Sequence, residues 1–315
     1  MFDLCLFDLD ETLLKTSDIE DTRVKGKNNN AFIYRLLVIK DLWSRKDRHI
    51  YSENLISSLR TNFPNTKFGV FTRSPRSYAD AILSEAYPNV KWDTLIAYED
   101  VDRTKPYGEG ILKAMQQLSL TDIRKVVLVG DGENDIRAAY NAGCIAVLDQ
   151  SSWGGMRNND NWHALNLIPD AIIEEPSSLI EVLRDYRPYL PVLERRLEGV
   201  KSSFQTTRIE KIGKFLPREF GGDSKPYPIY TLGRLFSGYD SIKERRSWHQ
   251  LTDSIHACKE ATDFPVDWCA SIQAFLEKIF PALHLGSLVI TTIPPRPGRA
   301  ARLNNLLVCL ERFPA

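Results

Sequence analysis

An α/β fold with a parallel sheet flanked by helices is predicted by three short apolar runs, each ending in polar residues. The runs are LCLF at 4–7, FGVF at 68–71 and VVLVG at 126–130. Their length and composition read as buried strands. The segments after the second and third runs carry helix-like patterns, which supplies the flanking layers.

The first run delivers Asp8 and Asp10, two residues apart in FDLDETLL. A buried strand ending in two carboxylates is costly unless those charges bind a cation or carry protons. The carboxyl ends of strands are also where α/β sheets place their ligands. The third run is followed by Asp131-Gly132-Glu133-Asn134-Asp135 and then the helical pattern IRAAYNAG. The second is closed by Thr72-Arg73-Ser74-Pro75, and Lys105 stands in TKPYGEGILKAMQQL before a proline that starts a helix. Each of these residues also has a plainer reading. TRSP is a good helix start, Asn134-Asp135 could cap the helix it precedes, and Lys105 and Arg73 could be solvated charges.

Taken in order, DLDET, VFTRS, KP before a helix and GDGEND resemble the four motifs of the haloacid-dehalogenase-like hydrolase superfamily, over residues 1–187. The strand and helix in PDAIIEEPSSLIEVL match the way such domains finish. The resemblance implies a Rossmann-like sheet and magnesium-dependent phosphatase chemistry on a small phosphorylated metabolite or nucleotide. It makes Asp8 the nucleophile that forms an aspartyl-phosphate and Asp10 the general acid and base. Thr72 and Lys105 would bind the phosphoryl group, with Arg73 a further substrate contact. Mg2+ would be held by Asp8, the backbone carbonyl of Asp10, and Asp131, with Asp135 orienting the shell. Position 10 discriminates within the superfamily: ion pumps carry Thr there and dehalogenases lack the second acid, so Asp10 points to a phosphatase or phosphotransferase, the alternative being a regulatory module that senses a phosphorylated metabolite.

About fifty residues separate Leu14 from FGVF, and SENLISSLRTNF already reads as the helix leading into that strand. The remainder, 15–51, is read as a loop and one helix, a small cap that leaves the site open. It holds nine Lys or Arg against five Asp or Glu between Lys15 and Arg48. That is either a solvated helix face or a basic lip for a polyanion such as a nucleic-acid end. Trp153 and Trp162, after the strand IAVLD, either pack a rim loop or stack on a substrate.

The chain has 315 residues and no formal net charge, which fits a two-domain protein and argues against nucleic-acid binding driven by bulk charge. No apolar stretch approaches a membrane span and the first strand leaves no room for a leader. The five cysteines show no C-x-x-C pair, so free thiols, no zinc site and a cytoplasmic location are expected.

The turn YRPYLP marks a boundary, with 188–200 read as a linker and 201–315 as a smaller α/β or mostly helical accessory domain. There a helix is expected at VDWCASIQAFLEKIF and a strand at SLVITT. The string IPPRPGR followed by a helix faintly resembles the start of competence-factor-type phosphoribosyltransferases, although the phosphate-cradling loop of that class is absent. In that resemblance Arg296, Arg299 and Arg302 are candidate phosphate contacts. His249 and His256, seven apart on an expected helix, lack a third metal ligand.

Overall fold

The apolar runs become the inner strands of a six-stranded parallel sheet. The computed structural model describes residues 1–154, 159–200, 208–259, 263–281, 289–293, 297–298 and 303–312. The strands are β1 (Leu4–Phe7), β2 (Lys67–Phe71), β3 (Thr94–Ile96), β4 (Val126–Gly130), β5 (Ile145–Asp149) and β6 (Ala171–Ile173). Every residue of β1, β4 and β5 is buried, as expected of parallel strands covered on both faces. Each fully buried Val, Leu or Phe contributes roughly 1.5–3 kcal/mol, which makes the sheet centre a firm platform.

Strand order is β3-β2-β1-β4-β5-β6. The chain winds outward from β1 through β2 and β3, returns to β4 beside β1, and winds the other way. At such a reversal the loops leaving the two central strands part and open a crevice at their carboxyl ends. The register brings Phe7 opposite Val129, and the backbone N–H of Asp8 donates to the Val129 carbonyl at 2.8 Å. The residues following β1 and β4 are thereby fixed against each other.

The chain divides into two units. One comprises Met1–Tyr186 with Ser237–Ser247, the other Arg187–Phe236 with Trp248–Ala315. In the first unit the insertion after β1 holds two helices, Glu20–Val24 and Phe32–Leu42, rather than the single helix expected. The turn through Gly26 lets them fold back on each other: a Cβ at Gly26 would strike the Tyr34 hydroxyl, which instead donates to the Thr22 carbonyl at 2.9 Å. Buried Arg48 ties the base of this cap. Its guanidinium grips the Asp18 carboxylate at 2.7 and 2.8 Å and donates to the Lys15 carbonyl at 2.8 Å and the Asp41 carbonyl at 2.9 Å. One of the nine basic residues counted as a possible lip is therefore structural. The helix after Lys105 begins at Glu109, not at the proline. The short segment Ser237–Ser247 belongs to this unit through Arg245, whose guanidinium is buried on the Asp170 carboxylate and donates to the Cys144 carbonyl at 3.0 Å.

The second unit contains an antiparallel pair, β7 (Glu210–Phe215) and β8 (Tyr227–Thr231), with helices at Gln250–Ala257, Val266–Ile279 and Leu303–Arg312. The stretch read as a linker, 188–200, holds the helix Val192–Leu197 with Val192, Leu193, Glu194 and Arg195 buried. Residues 289–293 form no strand and Val289 and Ile293 are exposed. Arg296, Arg299 and Arg302 lie outside the described residues. His249 caps the helix Gln250–Ala257 through Thr252 and sits on Glu194, whereas His256 is exposed, so the two share no site. Cys269 and Cys309 form a disulfide across two helices, with Cα atoms 6.6 Å apart, against the expectation of free thiols. Their separation of 40 residues gives no pairing signal, since only the packing of the two helices sets it. Among the described residues no helix is long and apolar enough to cross a membrane.

Candidate active site

Four charges meet at the crevice, Lys105 and Asp135 buried and Asp8 and Asp131 half-buried. Lys105, its side chain 1% exposed, donates to Asp8 at 2.5 Å and to Asp135 at 2.6 Å. Asp8, Asp131 and Asp135 each offer a carboxylate oxygen within 4.8 Å of the others, the one such acidic group among the described residues. Local sequence explains how they converge. Asp8 follows β1, Asp131 follows β4, and Asp135 lies in the first turn of the helix Glu133–Ala142, where it accepts the Gly132 N–H at 3.2 Å. Gly130 is required here, because a Cβ would collide with the Asp135 side chain. Thr12 donates to Asp131 at 3.3 Å.

Three carboxylates face one ammonium, so two negative charges are uncompensated when all are ionised. Burial, opposed by Lys105 and reinforced by Asp135 and Asp10, pushes the Asp8 carboxyl up to about 7. Burial, with Asp135 and Asp8, pushes Asp131 well above the ordinary carboxylate range. Burial pulls Lys105 down, but Asp135 and Asp8 outweigh it and hold the ammonium charged. An all-oxygen donor set short of positive charge fits a hard divalent cation such as Mg2+.

Asp10 stands apart from that acidic group. Its carboxylate accepts from Thr16 at 2.7 Å and Tyr78 at 3.1 Å on one oxygen, and from Ser74 on the other, with Arg23 3.6 Å away. Ser74 also anchors Thr72, whose Oγ1 accepts the Ser74 N–H at 3.0 Å. Thr72 is buried and Arg73 exposed. Asp8, Asp10, Thr72, Arg73, Lys105, Asp131 and Asp135 all line one cleft of about 680 Å³. Sequence reasoning missed Thr16, Ser74, Tyr78 and Arg23 around Asp10. Ser74 sat inside the string VFTRS, and Arg23 was counted only as part of the basic segment. Trp153 packs, donating its Nε1 to the Asp131 carbonyl at 3.2 Å.

Residues 51–148 match the family model described as haloacid dehalogenase-like hydrolase. The match contains Thr72, Arg73, Lys105, Asp131 and Asp135 and starts beyond Asp8, Asp10 and the cap. The chain is 30% identical over 119 residues to an N-acetylmuramic acid 6-phosphate phosphatase of Pseudomonas aeruginosa, covering 37% of this chain and 49% of that protein. It is 23% identical over 149 residues to the pyrophosphatase PpaX of Bacillus anthracis, covering 45% of this chain and 66% of that protein. The chain thus spans about half of the first relative's length and just under two thirds of the second's. Among solved structures, a predicted phosphoglycolate phosphatase from Haemophilus somnus aligns over 57% of this chain and 97% of its own, with 18% identity and a TM-score of 0.41.

Proposed function

We propose that the first unit, whose residues 51–148 match the haloacid dehalogenase-like hydrolase model, is a Mg2+-dependent phosphomonoesterase working through an aspartyl-phosphate on Asp8. The observation that carries the reading is the Lys105 ammonium bridging Asp8 and Asp135 beside Asp131, with a separately held Asp10 two residues from Asp8. Both curated relatives are named as phosphoric ester or anhydride hydrolases.

In this reading the Asp8 carboxylate attacks phosphorus and the ester P–O bond breaks. Asp10 gives its proton to the departing oxygen. Water then attacks the aspartyl-phosphate, Asp10 takes a proton from it, and phosphate leaves with Asp8 restored. Thr72 donates to a phosphoryl oxygen, and Lys105 offsets charge on the phosphoryl group and on Asp8 together. Thr16, Ser74 and Tyr78 keep Asp10 aimed at the cleft. Asp8, Asp131, Asp135 and the Asp10 carbonyl would hold Mg2+, which supplies charge neutralisation at the phosphoryl oxygens.

The test is phosphate release from a panel of sugar phosphates, nucleotides, pyrophosphate and 5′- or 3′-phosphorylated oligonucleotides, with magnesium and then with EDTA. Release that requires magnesium is expected. Release that persists unchanged in EDTA, or none from any member, overturns the proposal.

A further inference from the structure

The cleft is lined by three basic side chains besides Lys105 that the chemistry at Asp8 does not use. Arg23, Lys27 and Arg73 all line it, together with Tyr98 and Glu20. Arg23 is already engaged, by Glu20 at 2.6 Å and by Asp10 at 3.6 Å. Lys27 and Arg73 are different: among the described residues neither is paired with a carboxylate. The Lys27 ammonium donates to the Tyr98 hydroxyl at 3.2 Å and lies 4.7 Å from the centre of that ring. This contact orients the lysine without neutralising it. Glu11, also in the lining, accepts the backbone N–H groups of Thr16 and Ser17 on one oxygen, both at 2.7 Å.

The two cations arrive from different elements. Lys27 follows the first cap helix, and Arg73 follows β2 directly after Thr72. Both are exposed, and both line the cleft that holds Lys105. Two unneutralised cations in one cleft attract anions, and a single phosphoryl group is already accounted for by Thr72 and Lys105.

We infer that Lys27 and Arg73 form a second anion subsite, so that the preferred substrate is a phosphomonoester whose leaving group itself carries a carboxylate or phosphate. The inference rests on the phosphatase reading and deepens it. The subsite binds and orients the leaving group and transfers no proton.

The experiment compares matched esters with the purified full chain and magnesium. One pair is phosphoglycolate and its neutral carboxamide; the other is propane-1,3-diol bisphosphate and the monophosphate. The wild type is expected to favour the anionic member of at least one pair by about tenfold in kcat/KM, as for a hydrogen bond to a charged group. The pair showing the preference tells carboxylate from phosphate. Lys27→Met and Arg73→Met should each cut that preference several-fold, chiefly through KM, and added salt should erode it in the wild type. Equal rates within both pairs overturn the subsite while leaving the hydrolase reading intact. A preference that survives both substitutions also overturns it. No release from any ester removes the hydrolase reading and this inference with it.

Discussion

Each unit of the protein buries a cluster of charges, and the two clusters are balanced in opposite ways. In the first, Asp8, Asp131 and Asp135 share one lysine. In the second, among the described residues, Glu194 faces two basic side chains. It accepts from the Arg234 backbone N–H at 2.6 Å and Nε at 2.9 Å, and lies 3.1 Å from His249 Nε2. Burial pushes the Glu194 carboxyl up, but Arg234 and His249 outweigh it and hold it below the usual range. In the first cluster burial wins and two carboxyls rise. A buried carboxylate with surplus partners stabilises the fold around it, whereas carboxylates left short of positive charge are poised to receive some.

Substitutions should separate the two kinds sharply. Asp8→Asn is expected to lower phosphate release by on the order of 10⁴ or more, with an unchanged circular dichroism spectrum. Asp10→Asn should cost about 10²–10⁴. Normal turnover by folded Asp8→Asn would detach the chemistry from this cluster. Glu194→Gln should instead cost about 3–5 kcal/mol of stability in urea denaturation, because it removes the buried negative charge that Arg234 and His249 face. The wild type should show the matching acid sensitivity. Since the folded-state pKa of Glu194 is depressed, its contribution is present above the unfolded value of about 4.3 and lost as pH falls below it. If Glu194→Gln unfolds at the same urea concentration as the wild type, the contrast fails.

The same difference governed what the sequence disclosed. The first cluster was legible because its members follow apolar strands: Asp8 after LCLF, Asp131 after VVLVG, Asp135 in the helix start beyond. Strands converge at a sheet's carboxyl edge whatever lies between them, so order along the chain predicts proximity in space. Glu194, Arg234 and His249 are spread over 56 positions, from 194 to 249, on a helix, a loop and a cap. No local period links them. The partners of Asp10 were obscured for a similar reason. Thr16 and Arg23 come from an insertion, and Tyr78 from a helix whose apolar face reads as core. The Cys269–Cys309 disulfide depends wholly on how two helices pack.

A cation should act on the first cluster alone. Saturating magnesium is expected to raise the stability of the metal-free protein by about 2–3 kcal/mol at a hundredfold excess over Kd. Asp131→Asn should lose most of that gain, while Glu194→Gln should keep it if enough folded protein remains. Differential scanning fluorimetry across a magnesium titration measures both. A magnesium response that survives in Asp131→Asn would move the cation away from this cluster.

The smallest effect is the most discriminating, because it predicts that removing a functional group strengthens the fold. Asp131 sits within 4.8 Å of two other carboxylates, and its raised pKa means that the folded state binds a proton more readily than the unfolded chain does. Stability carried by such a group falls as pH rises. Asparagine keeps the shape and can still accept from Thr12, but it never ionises. In EDTA at pH 8, Asp131→Asn should therefore be more stable than the wild type, by less than any of the effects above. The gap should narrow as the pH is lowered and the wild-type carboxyl takes up its proton, and reverse in saturating magnesium. A metal-free Asp131→Asn protein that melts below the wild type at pH 8 would show that Asp131 serves the fold in the same sense as Glu194. The uncompensated charge at the crevice would then need another explanation than a cation to be received.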